Sequence, residues 1–509
     1  MMHRRRRAIT ILLSLLILFL VIGGVTNVWS TQSTGSIWPT WSLASDKSGP
    51  LDGCHNNTST LIPLQPLKAP ADYQDTVTNP LSCPGRLGIP YLEELRQSRA
   101  AYCSSESPSQ LTCFHSQKAG GGIDSFCVGQ PAVLGMKAKF QLFCDEVEPY
   151  TIETNETSRK LDNFQPYWYE TGPRIIFDRF IRLENKELAP STLTAKNSSG
   201  FSILLKREGP DNLWHSLMEI MALSITLDVL QITRKQHSAD AILSPEDAAN
   251  TQVVLLEDEH SKEGPYFDLW RLFAQRPTVR LAEVPAGADM GTLIIPLPGA
   301  SNPVWQDDWE PNNCAHSQLL RTFSKRVQRH VGISDEADAD NKDGDKIVVT
   351  FIDRKGSRKL VDQDNLMAAL EKRYINAPVR LELNIVDMAA IPFAQQVQMV
   401  RDSDVLAGVH GAGLTHALWL REPSAVVEIL PKGFMHKGFR NLAGALGNDY
   451  FSTHGSIVPT DGRGDGKGPS RRADWQTENV ALDEARFVEL MEVAIKSRYN
   501  TGQHNFDIN

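Results

Sequence analysis

The sequence predicts an α/β protein built on two doubly wound parallel sheets, preceded by a membrane anchor, a stem and a cysteine-rich region. Three observations carry this reading. From about Tyr167, short β-rich runs alternate with helical segments in two successive series, the order expected of parallel sheets covered by helices. The stretch from Asp404 to Thr415 runs an apolar strand into a glycine-broken turn and then a helix. Ahead of both series lie a basic cluster, an uncharged apolar run and six of the seven cysteines.

Taken in order, Arg4 to Arg7 precede an apolar run from Ala8 to Val28, long enough at helical rise to cross a bilayer. Arginines before the span should stay cytosolic, so residues 1–7 read as a cytosolic tail and 8–28 as an uncleaved signal anchor. A cleavable signal peptide is the rival, but its apolar core is usually shorter and ends in small residues. Residues 29–80, rich in Ser, Thr, Pro and Gly, read as a stem. Cys54, Cys83, Cys103, Cys113, Cys127 and Cys144 follow without CxxC pairs, which favours disulfides in an oxidising compartment over zinc. The cysteine-rich region, 81–145, reads as a small stapled layer, and Cys314 as a buried thiol. Sequons at Asn56, Asn57, Asn155 and Asn197 could carry glycans there. The net charge of -9 supplies no basic field for a nucleic-acid partner.

The first Rossmann-like half, 146–315, has strands expected at Phe201 to Leu205, Gln252 to Leu256, Val279 to Val284 and Thr292 to Leu297, with helices at Asn212 to Leu230 and Tyr266 to Gln275. The second half, 316–509, opens with a helical link, His316 to His330, and an acidic loop, Asp335 to Asp345. It continues with strand Ile347 to Ile352, helix Asp364 to Tyr374, strand Val379 to Val386, helix Phe393 to Arg401, strand Val405 to Val409, a short helix, strand Ala425 to Leu430 and a closing helix, Leu482 to Arg498. The two halves are expected to face each other across a cleft, with ligands beyond the carboxyl ends of the strands.

Four groups of residues could carry chemistry. At the glycine turn, Gly411 and Gly413 let a ligand approach the main chain while helical N–H groups point at it, an arrangement suited to phosphate. In the loop after Ile352, Arg354 and Arg358 could grip a diphosphate bidentately; alternatively the run is a solvated basic turn. On the first long helix Asp211, His215 and Glu219 stand four residues apart on one polar stripe. These residues read either as a cap, a satisfied core histidine and a hydrogen-bonded glutamate, or as a general base flanked by carboxylates. Glu428, in an apolar strand, needs a partner: an ion pair, or ribose hydroxyls. Asp402 and Asp404 form a DxD triplet, but at the entering end of a strand, where a turn role is expected. Asp338 to Asp345 departs from a calcium loop at two ligand positions and reads as solvated.

The words Val409-His410-Gly411-Ala412-Gly413-Leu414-Thr415, followed by Glu422-Pro423 and Val427-Glu428-Ile429-Leu430-Pro431, resemble the signature of glycosyltransferase family 61, which includes endoplasmic-reticulum O-GlcNAc transferases and plant xylan xylosyl- and arabinosyltransferases. Asp211-Asn212-Leu213-Trp214-His215 with Glu219, and Arg354 with Arg358, resemble its other two motifs. His416 stands where the family often has Asn. The resemblance implies a GT-B-like fold and an inverting transferase that needs no metal or other cofactor. It would move a sugar, GlcNAc or xylose, from a UDP-sugar to a protein or glycan hydroxyl in the Golgi or endoplasmic reticulum, as a single-pass type II membrane protein. It also implies nucleotide-sugar contacts from Arg354, Arg358, the His410 to Thr415 turn (His410, Gly411, Ala412, Gly413, Leu414, Thr415) and Glu428, with His215, Asp211 and Glu219 catalytic. Rivals are a metal-dependent GT-A enzyme using Asp402 and Asp404, and an inactive tethered sugar or nucleotide binder.

Overall fold

The computed structural model describes residues 67–76, 83, 85–117, 123–167, 169–191, 193, 200–236, 238–256, 263–306, 308–334, 346–459 and 476–499. The expected anchor, Cys54, the sequons at Asn56, Asn57 and Asn197, and the acidic loop 335–345 lie outside these residues.

In the first half, Phe201–Leu205, Thr251–Leu255, Val279–Arg280 and Asp289–Ile295 are parallel. Numbered along the chain, their order across the sheet is 3-2-1-4. Phe201–Leu205 is buried throughout, as a parallel strand covered on both faces should be. The sheet does not stop there. Asp289–Ile295 pairs antiparallel with Ile123–Leu134, and the sheet runs on through Gln110–Gln117, Ala100–Cys103 and Glu146–Thr151. The cysteine-rich region is therefore a continuation of the same sheet rather than a layer packed on it.

The disulfides follow that topology. Cys113 and Cys127 face each other across adjacent strands and are bonded, and Cys103 bonds Cys144. Cys314 is not a free thiol: it bonds Cys83 across 231 residues of sequence. Beside this bridge the Ser317 hydroxyl donates to the Leu87 carbonyl at 2.6 Å, so the bridge fixes the start of helix Gln318–His330, whose N-cap is Ser317.

The second sheet has five parallel strands, Lys346–Ile352, Arg380–Val386, Val405–Val409, Ala425–Pro431 and Asp449–Val458, in the order 2-1-3-4-5, closed by antiparallel Asn479–Ala481. Val405–Val409 and Ala425–Pro431 are buried throughout; edge strand Arg380–Val386 is half-exposed and carries Arg380 and Glu382, charges that discourage edge pairing. The closing helix, Glu484–Tyr499, buries Phe487, Leu490, Met491 and Ile495 on one face of this sheet.

Helix Leu213–Ile232 is long and apolar enough to cross a membrane, but it is almost wholly buried. It lies in an apolar core that takes in Leu217, Ile220 and Leu223 together with Phe323, Leu414, Trp419, Phe439 and Leu442. The two halves share this core.

Two expected elements are shorter than their apolar runs. Tyr266 to Gln275 forms only a 3-10 helix, Phe267–Leu272, and Val279 to Val284 gives a two-residue strand before the chain turns at Leu281–Glu283.

Candidate active site

In a 2-1-3-4-5 sheet the crevice lies between the first and third strands, beyond their carboxyl ends. Here those ends carry Arg354 and the His410–Gly411 turn. The arginine loop folds over the turn: a Cβ built on Gly411 would lie 3.0 Å from Arg354 Cζ and 3.2 Å from Arg358 Cζ. Gly411 itself has φ 156° and ψ 174°, a region open essentially to glycine. Arg354 donates from Nε to the Ser357 carbonyl at 3.0 Å, and Arg358 takes a positive φ of 58°. Burial pushes the Arg354 guanidinium below its ordinary value. Two half-buried cations meeting at a glycine that starts a helical turn, Ala412–Trp419, form an arrangement whose chemistry suits a dianion or diphosphate.

The remaining members of the turn divide. A Cβ on Gly413 would meet Ile352 Cγ2 at 3.1 Å, so this glycine serves helix-to-strand packing. Leu414 and Thr415 are fully buried, and their side chains belong to the core rather than to a ligand surface. His416 is buried as well, accepting from Trp419 Nε1 at 3.1 Å, and burial pushes it down to about 3. It is a neutral core histidine.

Glu428 is fully buried, and both carboxylate oxygens are engaged within the protein. His410 Nδ1 lies 2.5 Å from Oε1, and the Tyr450 hydroxyl donates to Oε2 at 2.5 Å. The expected ribose contact does not fit this placement; Glu428 fixes His410 instead. Burial outweighs the pull of Glu428 and sets His410 below its ordinary value. The His410 ring lies 4.6 Å from Phe434 and 5.1 Å from His436. His436 Nε2 is 2.9 Å from Asp308, a contact between the two halves.

On helix Leu213–Ile232 the polar stripe is arranged differently from its spacing. Asn212, not Asp211, is the N-cap, accepting from Trp214 and His215 N–H, and Asp211 is exposed. Glu219 does not reach His215: its Oε1 accepts the Glu208 N–H at 2.9 Å. The Glu208 carbonyl in turn lies 2.8 Å from His215 Nδ1. A carbonyl can only accept, so Nδ1 carries the proton and Nε2 is left with its lone pair. Burial lowers the His215 pKa, against the Glu208 carbonyl. The half-buried ring sits edge-on to Tyr169 at 4.9 Å and Trp305 at 4.6 Å, leaving a neutral imidazole suited to accept a proton near neutral pH.

Asp404 ties two strand starts, accepting the Val348 N–H at 2.9 Å, and Ser403 bonds the Thr350 hydroxyl at 2.7 Å. The DxD triplet is a strand-entry brace. Sequence reading missed Glu208, Tyr450 and Trp305. Glu208 had a signal, a carboxylate three residues after a buried strand and directly before a glycine; Tyr450 had none, because its role depends on which strand lies beside Glu428.

Residues 213–427 match the model of the glycosyltransferase 61 family. The EGF domain-specific O-linked N-acetylglucosamine transferase of Drosophila melanogaster is 25% identical over 299 residues, 58% of this chain and 52% of that relative. The protein of the same name from Bos taurus is 24% identical over 295 residues, 56% and 51% of the two chains. That from Canis lupus familiaris is 36% identical over 121 residues, 23% and 21%. The longer of these matches span about half of each relative.

Proposed function

We propose that this chain, whose residues 213–427 carry a glycosyltransferase 61 domain, transfers a sugar from a UDP-sugar to a protein hydroxyl, with inversion and without a metal, on a GT-B-like scaffold. The observation that carries the reading is the convergence of Arg354 and Arg358 on Gly411 at the switch point of the second sheet. Two guanidinium groups there can bind a diphosphate and take up the charge that develops as it leaves, the task a divalent ion performs elsewhere. The acceptor oxygen attacks the anomeric carbon, the bond from that carbon to the diphosphate oxygen breaks, and the hydroxyl proton passes to His215 Nε2. GlcNAc is the donor sugar suggested by the names of the relatives; xylose is the alternative.

The metal-dependent alternative needs Asp402 and Asp404 at the ligand, and Asp404 is already committed to the Val348 amide. The lumenal, type II topology rests on the Arg4 to Arg7 cluster, the apolar run after it and the three disulfides, bonds that form in oxidising compartments. The test is a panel of UDP-sugars offered to the detergent-solubilised full chain, with donor hydrolysis and transfer measured with and without chelator. Selective turnover of one UDP-sugar, unaffected by chelator, is expected. Turnover lost on chelation and restored by manganese sinks the metal-free mechanism, and no turnover of any nucleotide sugar sinks the enzyme.

A further inference from the structure

Glu208 and Glu219 are both buried, each 5% exposed, and they sit behind His215 rather than in contact with its ring. Glu219 Oε1 accepts the Glu208 N–H at 2.9 Å, and the Glu208 carbonyl accepts His215 Nδ1–H at 2.8 Å. The backbone of one residue, through the two peptide units that flank the Glu208 Cα, therefore links the glutamate to the histidine. The Glu208 side chain is anchored separately: Oε1 accepts the Thr171 hydroxyl at 2.5 Å and the Ala300 N–H at 3.4 Å, while Oε2 is buried without a hydrogen-bond partner among the described residues. Both side chains close on Gly299, where a Cβ would meet Glu219 Cγ at 2.8 Å and Glu208 Oε2 at 3.0 Å. Gly209, at φ 132°, lays its backbone against the imidazole, a Cβ there lying 3.5 Å from Nδ1.

We propose that Glu219 and Glu208 are positioning residues that lock His215 in its proton-accepting tautomer, Glu219 by holding the Glu208 N–H and so the backbone on both sides of its Cα, and Glu208 by presenting its carbonyl to Nδ1–H. The inference rests on the reading of His215 as general base and deepens it. Without the anchor, the backbone at Glu208 can shift, the Nδ1–H loses its fixed acceptor, and the tautomer with hydrogen on Nε2, which cannot accept the acceptor's proton, becomes populated. The carboxyl groups support this without carrying it: burial raises both, and the charge of Glu208 raises Glu219 further. A neutral Glu219 still accepts an N–H through its carbonyl oxygen, so the lock does not depend on an ionised carboxylate.

The experiment uses full-length protein labelled with 15N-histidine, long-range 1H–15N spectra assigned by difference from His215→Asn, and steady-state kinetics alongside. Wild type should show His215 protonated at Nδ1. Glu219→Met should mix the tautomers and lower kcat roughly 10- to 100-fold, with UDP affinity little changed, and Glu219→Gln, whose amide oxygen can still accept the Glu208 N–H, should recover most of both. Should Glu219→Met fail to fold, Gly299→Ala, which presses on Glu219 Cγ, should produce the same mixed tautomer. An unaltered Nδ1–H signature in a folded Glu219→Met or Gly299→Ala protein overturns the proposal. Full transfer by His215→Ala would instead remove the general-base reading, a separate failure that the tautomer measurement distinguishes.

Discussion

Replacing Gly411 by alanine tests the anion site with the smallest possible change. The new methyl carbon would sit 3.0 Å from Arg354 Cζ and 3.2 Å from Arg358 Cζ, so both guanidinium groups must withdraw from the point where they converge. Charge-assisted hydrogen bonds contribute about 1.5–3 kcal/mol each, and losing the equivalent of one weakens UDP binding roughly 10- to 150-fold. Backbone strain at φ 156° adds about 1–3 kcal/mol of instability, so thermal unfolding must accompany titration calorimetry with UDP at fixed salt. Gly413→Ala is the contrast: its methyl meets Ile352 rather than the arginines, and should cost stability with a smaller loss of UDP affinity. Gly411→Ala and Arg354→Ala proteins that stay folded and bind UDP as tightly as wild type would refute the site.

Further outcomes are expected elsewhere. His215→Ala should lower turnover by about two to four orders of magnitude with UDP affinity nearly unchanged in calorimetry; because burial depresses His215, the wild-type acid limb should fall below about pH 6.5, and a limb above that value would contradict the environment described. Peptide mapping under non-reducing conditions should recover Cys83 linked to Cys314, and Cys314→Ser should destabilise by about 3–5 kcal/mol in denaturant titration. His416, pushed down to about 3 by burial, has an unfolded value near 6.5; it contributes stability that is whole above 6.5 and is lost as pH falls toward 3, so His416→Asn should flatten the loss of thermal stability across that window. Asn155 is exposed at a turn with φ 57°, and Asn155→Gln should abolish one glycosidase-sensitive mobility shift in cell-expressed protein.

The second half was legible in the sequence because parallel strands buried on both faces write themselves as unbroken apolar runs. Val405–Val409 and helix Phe393–Arg401 begin and end where their patterns do. The antiparallel strands from Ala100 to Thr151 were not, since turns and serines interrupt them and their pairing spans the chain out to Asp289–Ile295. The partner of Cys314 was hidden for the same reason: 231 residues separate it from Cys83, and only the fold brings them together. At the site, Arg354 and Arg358 approach Gly411 because the strands that they and the glycine follow are parallel neighbours, with Ile352 opposite Gly408. Glu219 shows the limit. Its four-residue offset from His215 suggested direct contact, whereas the loop at Glu208 inserts its backbone between them, and helical spacing carries no information about what packs on the helix from outside.

On the proposed reading that insertion matters because proton transfer and diphosphate departure must be aligned, yet His215 sits on a helix of the first half while Arg354 and Arg358 follow a strand of the second sheet. The helix bearing His215 is also the one whose Trp214 meets Phe439 at 5.5 Å, and Phe439 meets His410 at 5.5 Å. His215 and Trp214 both contact Trp305. A short run of ring contacts thus joins His215 to the His410–Gly411 turn, and Asp308 to His436 adds a polar link between the same halves. Well-packed rings resist small displacements, since each carries a large buried area and a preferred edge-to-face geometry. A positional error of about 1 Å at a reacting centre can cost on the order of a hundredfold in rate, so on the proposed reading the shared core would hold His215 and the arginines in register on one bond.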